Sequence, residues 1–287
     1  NVLHWHVVDT QSFPYQSVAR PNLWFGAYSL WERYSQQEIK NLIEYARQRG
    51  VKIMIEFDMP GHGASWCKGY PEICPAADCP QPLNPASDET FKVINDLMAE
   101  ITGHDSYTAY DPNQPPAASF PYELLHLGGD EVSENYPCWD NNPAIVSWQQ
   151  ARGLDDDGTY LYFVNGTAAV ARANERTAVQ WVEVFEEFGS ALNKDTVVHV
   201  WKDKNTLNNV LQAGYKAIIS DQADWYLDHE DVSWEQMYRN EPTQGLSPGI
   251  DVDALLIGGE ACMWDERVDP SVVFNTVWPR AAAVAER

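Results

Sequence analysis

Basic side chains are scarce in this sequence of 287 residues, which has 19 Lys and Arg against 42 Asp and Glu. The formal net charge is −23 at pH 7. A surface of this sign repels nucleic-acid phosphates and anionic membranes, so we expect neither as a partner. The acidic balance is typical instead of secreted proteins and of proteins in acidic compartments, where protonation relieves the repulsion between carboxylates.

Three further signals are missing. The sequence has no apolar run long enough to span a membrane. No Gly-rich phosphate-binding loop follows any predicted strand, which argues against a nucleotide site. The cysteines lack the paired spacing of a zinc site, and the His residues are scattered. We therefore expect no membrane span, no metal and no cofactor.

The five cysteines indicate an oxidising compartment. Three of them, at positions 67, 74 and 79, lie in a Pro-rich segment without helical or strand periodicity. Loop cysteines of this kind favour disulfide bonds, which persist outside the cytosol. Asn165 begins an N-glycosylation sequon, which agrees with that location. The chain begins without Met inside an apolar run and ends without a helix stop signal, so we expect it to be part of a longer protein.

Short apolar segments alternate with helical patterns along the chain. Their nearly continuous apolar character is typical of parallel strands that are covered on both faces. A capping box at residues 35–38 predicts the start of the first helix. The predicted strands are residues 3–8, 52–57, 124–127, 178–182, 197–200, 216–220 and 254–257, and further helices are predicted near 88–101, 143–151, 159–175 and 206–213. We expect one α/β domain over residues 1–287.

Acidic and aromatic side chains follow almost every predicted strand. A doubly wound sheet binds its ligand at one switch point, whereas a (β/α)8 barrel carries functional residues at the C-terminal ends of its strands. The sequence therefore favours a TIM barrel, seen from about its second strand to its eighth. The strand-end residues are Asp9, Asp58, His62, Asp130, Glu131, Trp181, Glu183, Trp201, Trp225, Tyr226, Asp228, Glu260, Trp264 and Glu266.

These residue types point to glycoside hydrolysis. The 12 Trp and 14 Tyr are enough to line a sugar site, although a large core would use them equally well. Two carboxylates usually flank the glycosidic bond from opposite sides. Asp130 and Glu131 leave one strand end together and cannot easily do so. If both are catalytic, the nucleophile comes from elsewhere, and the substrate itself is a candidate.

Seven ordered motifs resemble glycoside hydrolase family 20, the β-N-acetylhexosaminidases, with the plant, protist and animal lysosomal enzymes most similar. The motifs are HWHVVDTQSFPYQS, EFDMPGHGASW, LGGDEV with a later CW, WVEVF, VWKD, WYLDH, and GGEACMWDERVD followed by WPRAAAVAER. The resemblance implies an exo-acting, retaining hydrolase in which the substrate's acetamido oxygen attacks the anomeric carbon. The implied partner is an oligosaccharide or glycoconjugate that ends in β-linked N-acetylglucosamine or N-acetylgalactosamine.

The resemblance also implies roles for single residues. Asp130 would hold the acetamido N–H, and Glu131 would be the general acid and then the base. Since Glu131 must start protonated, activity should peak at acidic pH. Asp9 and His62 would form a relay behind Glu131, with Asp58 supporting that loop. The implied sugar-binding residues are the aromatic walls Trp181, Trp201 and Trp264, the acetamide donor Tyr226, and the hydroxyl acceptors Asp228 and Glu266.

The resemblance further implies a disulfide between Cys79 and Cys138, with Cys67–Cys74 as a weaker second pair and Cys262 as a buried thiol. It implies a lysosomal, vacuolar or secreted location, and a homodimer is compatible with it.

Other interpretations stay open. Asp130 and Glu131 could form a polar turn, His62 could cap a loop and the tryptophans could fill the core. Asp58 and Glu183 are evenly balanced between function and structure. A sugar-binding barrel that has lost catalysis would be favoured if either acid were replaced, but both are present.

The chain also departs from the family pattern. From the resemblance we expect it to begin after the first barrel strand, where the family has a sugar-binding arginine, and after the N-terminal domain. Thr10 stands where many relatives have Asp, and residues 103–123 form a longer polar insertion than we expect.

Overall fold

The computed structural model describes residues 1–103 and 119–287. Most of the polar insertion expected at residues 103–123 therefore lies outside the described residues. The chain divides into two compact units, Asn1–Phe188 and Gly189–Arg287. In each unit parallel strands alternate with helices, which confirms the predicted α/β class.

The first unit is built on four parallel strands that pair in chain order. These are β1 (Val2–Val8), β2 (Lys52–Phe57), β3 (Leu124–His126) and β4 (Thr177–Trp181). Strand β1 lies in register with β2 up to His6 opposite Glu56, and the register then shifts before Val8. Glu56 is in turn opposite His126 on β3. This row of polar residues crosses the sheet just before the strand ends.

Helices connect these strands, as parallel pairing requires. They are α1 (Gln36–Arg47), α2 (Asp88–Thr102), α3 (Tyr136–Asp140), α4 (Pro143–Arg152), α5 (Asp156–Ala173) and α6 (Glu183–Phe188). Short 3-10 turns occur at Pro21–Gly26, Trp66–Lys68, Pro71–Ile73 and Ser133–Asn135. The predicted capping box is present, because the Ser35 hydroxyl accepts from the Glu38 backbone and the Glu38 carboxylate accepts from the Ser35 backbone.

The core of the first unit lies between its strands and helices. Ile39 and Ile43 on α1 and Leu97 on α2 are buried and pack with β-strand residues such as Ile53 and Phe57 in one apolar cluster. The spacing of the α1 pair puts both side chains on one helix face, while the opposite face carries polar residues. Among residues 1–103 and 119–287, no helix is both long and apolar enough to cross a bilayer.

The second unit has three parallel strands, paired β5 to β6 and β6 to β7. They are β5 (Val197–Val200), β6 (Lys216–Ile219) and β7 (Leu256–Gly259). Its helices are α7 (Lys204–Gln212), α8 (Gln222–Trp225), α9 (Trp234–Arg239), α10 (Val252–Leu255), α11 (Val273–Val277) and α12 (Arg280–Ala285), after a 3-10 turn at Gly189–Ala191. The strand predicted at 254–257 begins later, because Asp251 caps α10 by accepting from the Ala254 backbone.

Two disulfide bonds lie in the first unit, which confirms the expectation of disulfides. Cys67 is bonded to Cys74 and Cys79 to Cys138, the two pairs that the resemblance implies. Cys262 in the second unit is buried and forms no disulfide with the described cysteines. The Cys79–Cys138 bond ties the loop after β2 to α3, directly after the candidate acids.

Removing the two bonds separately is expected to destabilise the protein unequally. Chain-entropy arithmetic gives about 4 kcal/mol for the 59-residue separation of Cys79–Cys138 and about 2 kcal/mol for the 7-residue separation of Cys67–Cys74. The measurement is the free energy of unfolding of the two paired Cys→Ala variants in denaturant. A larger loss for the shorter loop would contradict this ranking.

Candidate active site

His62 lies at the centre of a group of carboxylates in the first unit. Its Nδ1 is 3.0 Å from Asp9 Oδ1. Its Nε2 is 3.4 Å from Glu131 Oε2 and 3.6 Å from Asp130 Oδ2. Because the last two distances are at or beyond the hydrogen-bond limit, Nε2 faces both acids without being committed to either. The four residues predicted as catalytic are therefore neighbours.

Strand ends and glycines place these side chains. Asp9 follows β1, His62 lies in the loop after β2, and the two acids follow β3 through Gly128 and Gly129. Both glycines have positive φ, +71° and +100°, which L side chains rarely adopt. A side chain at Gly128 would also overlap the Asp58 carboxylate. The glycine pair thus permits the tight turn that presents the acids together.

Asp58 is hydrogen-bonded to the backbone of this turn. It is fully buried, and its Oδ1 accepts a hydrogen bond from the Gly129 backbone at 3.3 Å. The Tyr160 hydroxyl donates to the Gly129 carbonyl on the other side. These contacts are those expected of a supporting residue, and they fix the backbone immediately before Asp130.

The two acids occupy different surroundings. The Asp130 side chain is 17% exposed, whereas that of Glu131 is 51% exposed. Burial raises the pKa of Asp130 to about 7; the His62 charge opposes this and the Glu56 and Glu183 charges add to it. Asp130 Oδ1 is buried and accepts no hydrogen bond from the described residues. Asp130 therefore offers an acceptor atom that a bound molecule could satisfy.

His62 is held in its charged form. Burial lowers its pKa, but the Asp9 hydrogen bond and the charges of Asp58 and Asp130 outweigh burial and raise the pKa to about 10. Burial raises the pKa of Asp9, but hydrogen bonds from His6 and His62 bring it well below its ordinary value. At neutral pH an imidazolium thus bridges ionised Asp9 and the two candidate acids.

Ligand-type atoms of Asp58, His62 and Asp130 lie within 4.8 Å of one another, a spacing that a metal ion could bridge. A histidine binds metals through the lone pair of its neutral ring. A metal ion here would have to displace a proton from His62, whose pKa is raised to about 10 by its carboxylate neighbours.

Trp181 ends β4 and is 2% exposed. Its indole N–H donates to Glu56 Oε1 at 2.8 Å. Glu56 was not predicted as a site residue, although a lone acid inside the apolar strand KIMIEF is a signal that could have identified it. It lies opposite His6 and His126, which were also not predicted as site residues.

The second unit holds another group of predicted sugar-binding residues. Tyr226 follows α8 and pairs with Cys262 in an isolated bridge. Its ring lies 6.3 Å from that of Trp264, tilted by 50°. Asp228 is 9% exposed, and its buried Oδ1 accepts no hydrogen bond from the described residues. Tyr226 and the available acceptor of Asp228 thus lie on one short segment, and the Trp264 ring lies beside it.

Arg280 holds this segment in place. Its guanidinium donates to the backbone carbonyls of Leu227 and His229, the residues on either side of Asp228. Trp201, which follows β5, is half-buried, and Glu266 is exposed in the loop after β7. These predicted residues lie at or beyond strand ends, but the structure does not show Glu266 in contact with the Tyr226 segment.

Comparison with known proteins gives the same family as the sequence motifs. The family model "Glycosyl hydrolase family 20, catalytic domain" matches residues 1–287. Beta-hexosaminidase 1 of Arabidopsis thaliana is 42% identical over the whole chain and 50% of its own length. The beta subunit of beta-hexosaminidase from Homo sapiens is 35% identical, again over the whole chain and 50% of its length. The chain spans about half the length of these curated relatives.

A solved structure supports the predicted fold. The chitobiase of Flavobacterium johnsoniae matches all of this chain and 43% of its own, with a TM-score of 0.82 and 29% identity. The prediction of a partial TIM barrel is thereby confirmed. The chain belongs to glycosyl hydrolase family 20.

Proposed function

We propose that the protein containing this chain is an exo-acting β-N-acetylhexosaminidase that retains anomeric configuration through substrate-assisted catalysis. The observation that carries the proposal is the pair Asp130 and Glu131. Both leave one strand end, both lie within 3.6 Å of His62 Nε2, and the Asp130 side chain is much less exposed than that of Glu131. Two acids on one side of a bond suit a reaction whose nucleophile is part of the substrate.

In the first step the acetamido carbonyl oxygen bonds to the anomeric carbon as the glycosidic C–O bond breaks. Glu131 transfers its proton to the leaving oxygen. Asp130 Oδ1 accepts the acetamido N–H and stabilises the positive charge that develops on the oxazolinium ring. That charge and the N–H bond lower the pKa of Asp130 in the complex, so the carboxylate ionises when it is needed.

In the second step water bonds to the anomeric carbon and the ring C–O bond breaks. Glu131 takes the water proton, which regenerates the acid, and the acetamide is restored. His62, positively charged beside Glu131, stabilises the anion that exists between the two steps. Because the anomeric carbon is inverted twice, its configuration is retained.

The remaining predicted residues contribute to binding. Trp181, Trp201 and Trp264 would face the N-acetyl group and the sugar ring, and Tyr226 would donate to the acetamide oxygen. Asp228 and Glu266 would accept from outer hydroxyls. The role of Asp228 as a hydroxyl acceptor has the most direct support, because its buried Oδ1 accepts no hydrogen bond from the described residues.

The proposal extends to substrate and location. Asp228 is acidic, which favours neutral terminal N-acetylglucosamine or N-acetylgalactosamine over sulfated sugars. The disulfides and the exposed Asn165 on α5 favour a lysosomal, vacuolar or secreted glycoprotein. A homodimer is part of the same proposal.

Hydrolysis of chromogenic glycosides by the full-length protein tests the mechanism. Substrates with N-acetyl, N-fluoroacetyl, N-difluoroacetyl and N-trifluoroacetyl groups should react progressively more slowly, because fluorine weakens the carbonyl oxygen as a nucleophile. The β-glucoside, which has no acetamide, should lose at least about 10³-fold in kcat/KM.

Equal rates of hydrolysis for the four N-acyl substrates would contradict substrate assistance. Tight binding of a thiazoline analogue of the oxazolinium ion, without any turnover of the glycosides, would instead favour the sugar-binding barrel.

A further inference from the structure

Glu56 forms the centre of a buried network behind the candidate acids. Its side chain is fully buried, and four ring nitrogens surround it. Oε1 contacts Trp181 Nε1 at 2.8 Å and His126 Nδ1 at 3.1 Å. Oε2 contacts His6 Nδ1 at 2.7 Å and His4 Nε2 at 2.9 Å. A buried carboxylate with this many donors stays ionised, and these contacts hold the pKa of Glu56 well below its ordinary value against the effect of burial.

His6 extends this network to the candidate active site. Its other nitrogen, Nε2, lies 2.9 Å from Asp9 Oδ2. Asp9 uses its remaining oxygen, Oδ1, to contact His62 at 3.0 Å. Carboxylates and imidazoles therefore alternate from Glu56 through His6, Asp9 and His62 to the acids after β3.

The hydrogen-bond acceptors beside the two ring nitrogens determine the charge of His6. Ionised carboxylates offer no proton, and one lies beside each ring nitrogen of His6, so the ring is most stable with a proton on both nitrogens. The charged groups that face the ring are Glu56 and Asp58 from β2 and the loop after it, and Asp9 from its own strand end. His6 is thus an imidazolium that fixes Asp9 Oδ2 and leaves Oδ1 directed at His62.

We propose that His6 and Glu56 are positioning residues that act through Asp9 on His62, and that Glu56 orients Trp181 at the same time. This inference rests on the proposed function, because it assigns His62 to the hydrolysis. Without the His6 donor, Asp9 Oδ2 loses its partner, and the carboxylate is held only through Oδ1, by His62 and by the Thr10 backbone N–H, so the orientation of His62 is less fixed.

Two matched substitutions separate the two ends of the His6 ring. In His6→Gln the amide nitrogen reaches the place of Nε2 and can still donate to Asp9. In His6→Asn it reaches only the place of Nδ1, on the Glu56 side. We expect kcat to fall at least about tenfold in His6→Asn and within about threefold in His6→Gln, with KM changed little in both. An equal fall in kcat in the two variants, or a change in KM without a change in kcat, would overturn the proposal.

His4 provides the control, because it contacts the same Glu56 oxygen from the same strand. His4→Asn removes a Glu56 partner in a comparable setting, and we expect it to lower thermal stability while kcat stays within about threefold. A fall in kcat as large as that of His6→Asn would show that any damage to the buried network suffices, and the specific path through Asp9 would be wrong.

A double-mutant cycle tests whether His6 acts through Asp9. If it does, adding His6→Asn to Asp9→Asn should cost little further kcat, whereas independent structural effects would multiply. If the losses in kcat of the two single variants multiply in the double variant, the proposal is overturned.

NMR of ¹⁵N-labelled histidine needs no turnover, so it separates this inference from the proposed hydrolysis. In the wild-type protein near pH 8, His6 and His62 should both show imidazolium resonances. The His62 ring resonances should shift in His6→Asn, where Asp9 loses its donor, and stay at the wild-type positions in His6→Gln. A neutral His6 ring in the folded wild-type protein overturns the proposal whatever the variants do, while imidazolium signals without any glycosidase activity would leave the network intact and reject the proposed function.

Discussion

Replacing Glu131 with Gln is expected to lower kcat/KM by about 10²–10⁴-fold for substrates with sugar or alkyl leaving groups, because Gln cannot donate the proton that such groups need. The loss should be much smaller for leaving groups that depart as stable anions, since these require little protonation. Measuring kcat/KM across aryl glycosides of graded leaving-group acidity checks this dependence.

Glu134 supplies the matched control, because it is exposed three residues further along the chain. Glu134→Gln removes the same charge from the same loop and should keep kcat/KM near the wild-type value. Full activity of Glu131→Gln towards poor leaving groups would remove the basis for its role as the general acid.

Replacing Asp130 with Asn is expected to abolish most activity and yet stabilise the protein at neutral pH. The variant loses the anion that stabilises the developing oxazolinium, an effect of about 10²–10³-fold in kcat. The stability change has the opposite sign because burial raises the pKa of Asp130 from its ordinary value of 3.8 to about 7. A shift of that size corresponds to about 4 kcal/mol.

The pH dependence of this gain follows from the direction of the shift. Below the unfolded pKa, Asp130 is protonated in both states, and wild type and variant should be equally stable. As pH rises through about 4 to about 7, the unfolded chain releases the proton while the folded protein retains it, so wild-type stability falls. Unfolding free energies near pH 3 and pH 8 should therefore coincide at the first value and differ at the second.

Asp140 on α3 is an exposed acid in the same segment and serves as the control, since Asp140→Asn should leave stability nearly unchanged at both pH values. If Asp130→Asn destabilised the protein near pH 8, burial of the carboxylate would not be the dominant influence on its pKa.

Much of the fold was accessible from the sequence. Strand β2 was predicted over the observed residues 52–57, because Gly50 and Asp58 bound its apolar run. Helix α1 begins where the capping box predicts. Strand β7 was misplaced because apolar residues 254 and 255 fit a strand equally well, and only the Asp251 cap assigns them to a helix. Local patterns thus decide element type, while caps decide boundaries.

The site was predictable only in part. The strand ends identified Asp9, His62, Asp130 and Glu131, and motif resemblance supplied their roles. Glu56 was missed because hydrophobic periodicity treats one acid within an apolar strand as an exception. Its partners come from positions 4, 6, 126 and 181, and no local spacing connects them. Contacts among four strands, β1 to β4, follow from register, which the sequence alone does not specify.

The Cys79–Cys138 bond has a covalent consequence. A single peptide cleavage anywhere between these two residues leaves both fragments in one molecule, since the bridge joins them across the cut. A protein nicked there keeps its intact mass, plus one water, on a non-reducing gel and separates into two bands only after a reductant is added. Apparent resistance of this region to proteases is therefore measurable only under reducing electrophoresis.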